Sequence, residues 1–185
     1  ISGNVVNLYN TRIGQLLLGA DDVASAGITN SGTINIISGA NSIIETSIKE
    51  YLGSTGKIVV QSGAGLIINN DLTVTQNIID VAGNLEMASG HINLTDKFNI
   101  STSGVVNVAA NVITAKNSIV NAGTLNLSSG ALASEITSSG TTIIVGTVTS
   151  DKKITQASLV IDNNAKLSIS AGNIKASVTD DSILE

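Results

Sequence analysis

The sequence lacks cysteine, proline and tryptophan, and its only Tyr and Phe residues are Tyr9, Tyr51 and Phe98. Without cysteine the chain forms no disulfide, has no thiolate metal ligand and has no cysteine nucleophile. Without proline its turns depend on glycine and asparagine, and with so few rings its core must consist of Ile, Val, Leu and Ala. Charged residues make up only 12% of the chain, against about 25% in a typical globular domain.

Positive charge is especially scarce. Arg12 is the only arginine. The chain has nine Lys and Arg residues and 14 Asp and Glu residues, which gives a formal net charge of −5. Nucleic-acid binding depends largely on Lys and Arg at phosphates and on rings that stack on bases, so we expect no nucleic-acid partner. Apolar runs such as Leu16–Leu18 are far shorter than the ~18 residues of a membrane helix, so we expect no membrane span in this segment.

The chain begins with Ile1, and no basic region followed by an apolar region precedes the first polar residues. We therefore expect it to be an excised fragment or a mature product, with its targeting signal outside the sequence.

One short unit recurs along the chain, and Asn121–Gly130 is its clearest copy. It contains a turn at Gly123, a short strand with Leu125 and Leu127 at alternate positions, and a second turn. Alignment on the first small residue gives seven anchors, and the positions four before, two after and four after each anchor are large apolar residues in 20 of 21 cases, with Thr142 as the exception. The anchors are Gly32, Gly56, Gly83, Gly104, Gly123, Gly140 and Ala165.

Short strands of this kind cannot each bury a face independently, but equivalent residues of successive coils can stack on one another. The spacing between successive anchors is uneven and averages about 22 residues, a period typical of solenoid repeats. An antiparallel meander or sandwich would not require the shared pattern, and the L-x-x-L-x-L frame of leucine-rich repeats is absent. We therefore predict an all-β fold, a right-handed parallel β-helix (β-solenoid) of seven to eight coils with about 22 residues each.

We expect a single β-helix segment over residues 1–185. Residues 1–27 would form an irregular first coil or cap, with strands near Gly3–Leu8 and Ile13–Leu18, residues 28–176 the regular repeats, and residues 177–185 the start of a further coil or a tail. The longest excursions, Asn41–Tyr51 and Asn69–Ile78, are expected to be loops that carry binding, with Thr46–Leu52 long enough for one helical turn.

The residues that precede the second apolar position of each unit are expected to face solvent on one side of the stack. Most are polar, which indicates an Asn-rich ladder, whereas Val59 and Ile143 would form either an apolar spot or two scattered exposed residues. The set is Asn35, Val59, Glu86, Asn107, Asn126, Ile143 and Ser168.

The sequence assigns no catalytic, cofactor-binding or metal-binding residue. His91 is the only histidine and Glu86 its nearest acid in sequence, so a solvated histidine is a better interpretation than a base or a zinc ligand. The acidic pairs Asp21-Asp22 and Asp180-Asp181 match neither the RTX roller motif nor an EF-hand loop, and we interpret both as solvated turns.

The phrases Asn30–Ile36 and Asn121–Leu127, each followed shortly by Ser-Gly-Ala, resemble the passenger domains of Gram-negative autotransporters. The low-aromatic, Asn- and Ile-rich style is similar to the large surface antigens of rickettsiae and their relatives. The resemblance covers roughly residues 28–176. It implies a secreted rod on the bacterial cell surface, attached through a C-terminal outer-membrane barrel that lies outside this fragment.

Two functions remain open from the sequence. The first is a non-enzymatic structural or adhesive segment of such a passenger, without cofactor, whose partner would be a host-cell surface protein or a glycan. The second is a carbohydrate-active β-helix, such as a polysaccharide lyase or a phage tailspike fragment, which needs carboxylates or basic side chains grouped in a groove on one sheet.

Overall fold

The computed structural model describes residues 5–9, 12–13, 28–44, 48–50, 55–68, 72–109, 112–169 and 174–180. These residues form a parallel β-solenoid and include no helix, and its regular part, from residue 65 onward, has about six turns with about 19 residues per turn. The predicted fold class is confirmed, whereas these regular turns are shorter than predicted.

Every turn is built from short strands, and some strands bend through a corner and serve two sides. All the strand pairings are parallel, with each turn hydrogen-bonded to the turns before and after it. The strands are β1 Val5–Leu8, β2 Arg12–Ile13, β3 Ile28–Asn30, β4 Thr33–Ile36, β5 Asn41–Ile44, β6 Ile48–Glu50, β7 Lys57–Val60, β8 Gly65–Ile68, β9 Leu72–Val81, β10 Asn84–Met87, β11 Gly90–Ile100, β12 Val105–Val108, β13 Val112–Ala115, β14 Ser118–Asn121, β15 Thr124–Leu132, β16 Ile136–Thr137, β17 Thr141–Ser150, β18 Ile154–Ile161, β19 Lys166–Ile169 and β20 Ile174–Asp180.

Three sides make up each turn, and we name them A, B and C. Side A contains β1, β4, β7, the second parts of β9 and β11, β14, β16 and the starts of β18 and β20. Side B contains β2, β5, β8, β10, β12, the first parts of β15 and β17, and the ends of β18 and β20. Side C contains β3, β6, the first parts of β9 and β11, β13, the ends of β15 and β17, and β19.

Inward side chains of successive turns lie over one another and form the core. Each buried aliphatic side chain is worth about 1.5–3 kcal/mol, so these columns supply most of the stabilisation. On side A the column is Ile34, Ile58, Ile79, Phe98, Ile119, Ile136 and Ile154, all at most 1% exposed, and on side B it includes Leu66, Leu85, Val106, Leu125, Thr142 and Leu159, all fully buried.

The seven anchors predicted to be equivalent lie at three different corners. Gly83 precedes side B, because Leu85 pairs with Leu66, whereas Gly56 precedes side A, because Ile58 pairs with Ile79. The alignment of Gly56 with Gly83 is therefore wrong. Gly104, Gly123 and Gly140 share the corner of Gly83, Gly32 shares that of Gly56, and Ala165 precedes side C.

This register explains why the predicted period was too long. The predicted series stepped from one corner to another twice, between Gly56 and Gly83 and between Gly140 and Ala165, and so added part of a turn each time. Positions that are paired on a single side, such as Asn84, Val105 and Thr124 on side B, are separated by whole turns and therefore give the shorter period.

The segments predicted as long loops contain regular strands. Asn41–Tyr51 includes β5 on side B and β6 on side C, and Asn69–Ile78 includes the whole first part of β9 and the start of its second part. The helical turn suggested for Thr46–Leu52 is wrong at Ile48–Glu50, and its other residues lie outside the described ranges. Near the start, Val5–Leu8 forms the strand predicted there and pairs with β4, whereas of Ile13–Leu18 only Ile13 is described.

Thr142, the one polar member of the predicted core set, belongs to a buried amide cluster. Gln156 donates from Nε2 to the carbonyls of Thr137 at 2.8 Å and Ser138 at 3.1 Å. Its Oε1 accepts from Asn121 Nδ2 at 2.8 Å and from Thr142 Oγ1 at 3.3 Å. The strand of side A in this turn, β16, has only two residues. It ends before Ser138, whose φ of 89° lies outside the strand region. The amides thus bond carbonyls where the strand has ended.

We predict that Gly123→Ala lowers the free energy of unfolding by about 2 kcal/mol, within the usual range for overpacking. A Cβ at this position would lie 2.3 Å from the carbonyl oxygens of both Gly104 and Ser101, and backbone cannot rotate away as a side chain can. Urea denaturation measures the change. The control is Gly39→Asn, which has open space and a φ of 78° that Asn tolerates, and should change stability little. Equal effects of the two variants would contradict this account.

We also predict that Gln156→Leu lowers the free energy of unfolding by about 2–4 kcal/mol, because the carbonyls of Thr137 and Ser138 lose the Gln156 donor. Asn121 Nδ2 loses one acceptor as well and keeps its bond to the Thr141 carbonyl at 2.9 Å. Thr142→Val removes only the 3.3 Å bond to Gln156 and the 3.5 Å bond from Asn121 Nδ2, both long, and should cost about 1 kcal/mol or less. Thermal or urea unfolding compares the pair. A Gln156→Leu protein as stable as Thr142→Val would show that the cluster has no net stabilising role.

Candidate binding groove

A column of four outward residues crosses four turns on side A. Val59 pairs with Asp80, Asp80 with Asn99, and Asn99 with Val120. The column therefore has an aliphatic residue at each end and a carboxylate and an amide in the middle. With strands about 4.8 Å apart, it is about 14 Å long and runs parallel to the axis of the solenoid.

The corner between sides A and B forms the wall of a groove beside this column. The connecting turn has four residues at 61–64 and 101–104 but only two at 82–83 and 122–123. The corner therefore recedes at Ala82 and Ala122, between turns that protrude. The resulting groove has a volume of about 620 Å³. It is lined by the four residues of the column together with Gln61, Ser62, Ala82, Ser101 and Ala122, and by strand residues beneath them.

Asp80 is the only carboxylate among the lining residues, and both its oxygens have partners. Oδ2 forms an ion pair with Lys57 Nζ, and Oδ1 accepts from Asn99 Nδ2 at 2.7 Å. The side chains of Lys57 and Asp80 are 35% and 30% exposed. Partly exposed pairs of this kind contribute about 0–1 kcal/mol, so this contact orients the side chains more than it stabilises the fold.

Similar side-chain ladders join neighbouring turns elsewhere. Asn126 Nδ2 donates to Asn107 Oδ1 at 2.6 Å on side B, and Asn35 Nδ2 donates to Asn7 Oδ1 at 2.9 Å on side A. Asn117 Nδ2 donates to Asp96 Oδ1 at 2.5 Å near the corner between sides C and A. The predicted Asn ladder is therefore present, but in separate pieces.

The outward residues predicted to share one face are divided among three sides. Val59 is on side A, Glu86, Asn107, Asn126 and Ile143 are on side B, and Ser168 is on side C. Val59 and Ile143 therefore form no common apolar spot. Val59 instead contributes to the groove, and Ile143 is half-buried between Asn126 and Val160.

The titratable residues singled out in the sequence do not come together. His91 lies on the outer face of side C, between Thr73 and Val112, and Glu86 is exposed on side B between Ile67 and Asn107. Asp180 ends β20, and Asp21, Asp22 and Asp181 lie outside the described ranges. Within those ranges no group of three or more His, Asp or Glu residues is placed to hold a metal ion.

Sequence reasoning missed the middle of the groove because the register was wrong. Asp80 comes one position after the core residue Ile79, and Asn99 one position after the core residue Phe98, so the two are separated by one turn of the solenoid. An alignment on the length of a turn, instead of on glycine, would have placed them side by side.

None of the described segments is a helix with the length and hydrophobicity needed to cross a lipid bilayer. Comparison of the chain with protein-family models, with curated proteins and with solved structures gives no match.

Proposed function

We propose that this protein is a non-enzymatic segment of a bacterial surface protein of the autotransporter-passenger type, a stiff rod that presents a binding surface to host cells. The observation that carries the proposal is the continuous parallel solenoid, in which strand ladders and aliphatic columns run without interruption through about six turns. At about 4.8 Å per turn this length is about 29 Å, so many such turns in series would hold a binding surface far from a cell envelope.

The composition supports an exposed role. The outer faces carry mainly Ser, Thr and Asn, and the charged side chains that are described are spread over all three sides and the corners. A chain without cysteine also passes through an oxidising compartment without forming unwanted disulfides. The groove on side A brings aliphatic and hydrogen-bonding side chains together along the described strands, so we assign the contact with a host-cell protein or glycan to it.

The carbohydrate-active alternative is less well supported. A glycosidase needs two carboxyl groups roughly 5–10 Å apart, and Asp80 is the single carboxylate in the lining of the groove. Lys57 and Asn99 already occupy its two oxygens. The groove also has no aromatic side chain on which a sugar ring would stack.

We predict that beads coated with the 185-residue protein bind cultured mammalian cells, and that Ala82→Trp reduces this binding about tenfold or more, equivalent to ~1.4 kcal/mol. The indole would fill the part of the groove where the corner recedes. Flow cytometry of fluorescent beads measures the effect.

The matched control is Ala133→Trp, which places the same side chain beside a shallow depression on side C and should leave binding unchanged. Beads that bind no better than albumin-coated beads would contradict the adhesive role. Release of reducing or unsaturated sugars from polysaccharides, abolished by Asp80→Asn, would instead support the enzyme.

A further inference from the structure

The last described turn of the solenoid leaves two aliphatic core positions uncovered. Ile174 and Val178 of β20 pair with Ile154 and Leu159 of β18, which are fully buried. Ile174 and Val178 themselves are 42% and 50% exposed. Within the described residues the only strand partner of β20 is β18. This end of the stack therefore presents a strand edge and the kind of aliphatic surface that is buried between turns elsewhere.

Asp180 interrupts one of the core columns of side B at the same end. It is in register with Ile161, and it lies on the same face of β20 as Val178, two residues earlier. The preceding members of its column are all apolar and pack in the core, namely Ile68, Met87, Val108, Leu127, Ile144 and Ile161. Asp180 is exposed. A strand placed over β20 would therefore remove water from a carboxylate where every earlier turn covers an apolar side chain.

A second copy of this chain, stacked head to tail, fits the aliphatic part of this surface. Val6 in the first described strand pairs with Ile34 and belongs to the same side A column as Ile174. The first strand of a second copy would thus continue this column and cover Ile174.

The same second copy does not fit Asp180. Ile13 is in register with Ile44 and, through it, with Ile68 in the column of Asp180. The residue of the second copy in register with Asp180 would therefore be an isoleucine, which has neither a charge nor a hydrogen-bonding side chain to offer. Covering a carboxylate without a compensating partner is costly, because the ion loses its water and gains nothing in return.

We propose that Asp180 keeps this end of the solenoid from stacking on a second copy of the chain. The contact that it prevents is heterologous, so each added copy would present the same end again and growth would not stop at a dimer. A charge on the inward face of an edge strand opposes such pairing. This role is independent of what the groove on side A binds.

Asp180→Val tests the proposal, with sedimentation equilibrium of the 185-residue protein as the measurement. We expect the natural protein to be a single chain. We expect Asp180→Val to form chains whose mean mass rises with concentration, with a Kd for each contact at least about a hundredfold lower.

The matched control is Thr179→Val, which adds the same side chain to the same exposed strand. Thr179 is in register with Val160, on the opposite face of β20 from Asp180, so this variant should stay a single chain. Far-UV circular dichroism establishes that both variants keep their strands. Equal association of the natural protein and Asp180→Val would overturn the proposal, and so would a Thr179→Val protein that associates as strongly as Asp180→Val.

Introduced cysteines report the orientation of the contact, because the chain has none of its own. In the Asp180→Val background, a copy with Val6→Cys mixed with a copy with Ile174→Cys should form a disulfide under mild oxidation. Register partners on adjacent strands are about 4.8 Å apart, within the Cα separation that a disulfide spans. A disulfide between two copies of Ile174→Cys would show a tail-to-tail contact, and absence of any cross-link would show unspecific association. Either result would overturn head-to-tail stacking.

Discussion

The structure depends on one constraint: every turn must lie directly over the turn before it, at the spacing of hydrogen-bonded parallel strands. This constraint puts equivalent side chains into columns, and each column must be compatible along its whole length. On side A, three successive turns meet this requirement with isoleucine at the same position, namely Ile34, Ile58 and Ile79. It also explains the glycines at the corner before side B, where a Cβ on Gly123 would collide with backbone oxygens of the turn below.

Polar residues inside the stack meet the same constraint in another way. Asn30 donates a hydrogen bond to Gln76 at 2.6 Å, and Asn121 donates one to Gln156 at 2.8 Å. In each pair the two residues lie two turns apart. An amide has both a donor and an acceptor, so it can bond to a second amide and to free backbone groups together. These pairs occur where a strand ends early or a corner is irregular, and they replace ladder hydrogen bonds that would otherwise be missing.

The fold class could be predicted from sequence because alternation of apolar residues and small corner residues is a local property. The register could not, because all three sides carry the same alternation, so Gly56 and Gly83 look equivalent although they occupy different corners. The interior amides were also missed, since Gln156 inside the stack has the same sequence setting as a polar residue outside it. The groove depends on register and on turn length together, and neither Asp80 nor Asn99 is distinctive until they are placed side by side.

Turns of unequal length stack on one another without disturbing the columns, because the extra residues are accommodated between the strands. Successive turns therefore share the same cross-section along the axis. A gene encoding such a chain can gain or lose a whole turn by duplication or deletion, because the strands that become neighbours can still pair and their inward side chains still stack. The length of the solenoid and the chemistry of its surface can then change separately, since the first depends on the number of turns and the second on which residues face outward.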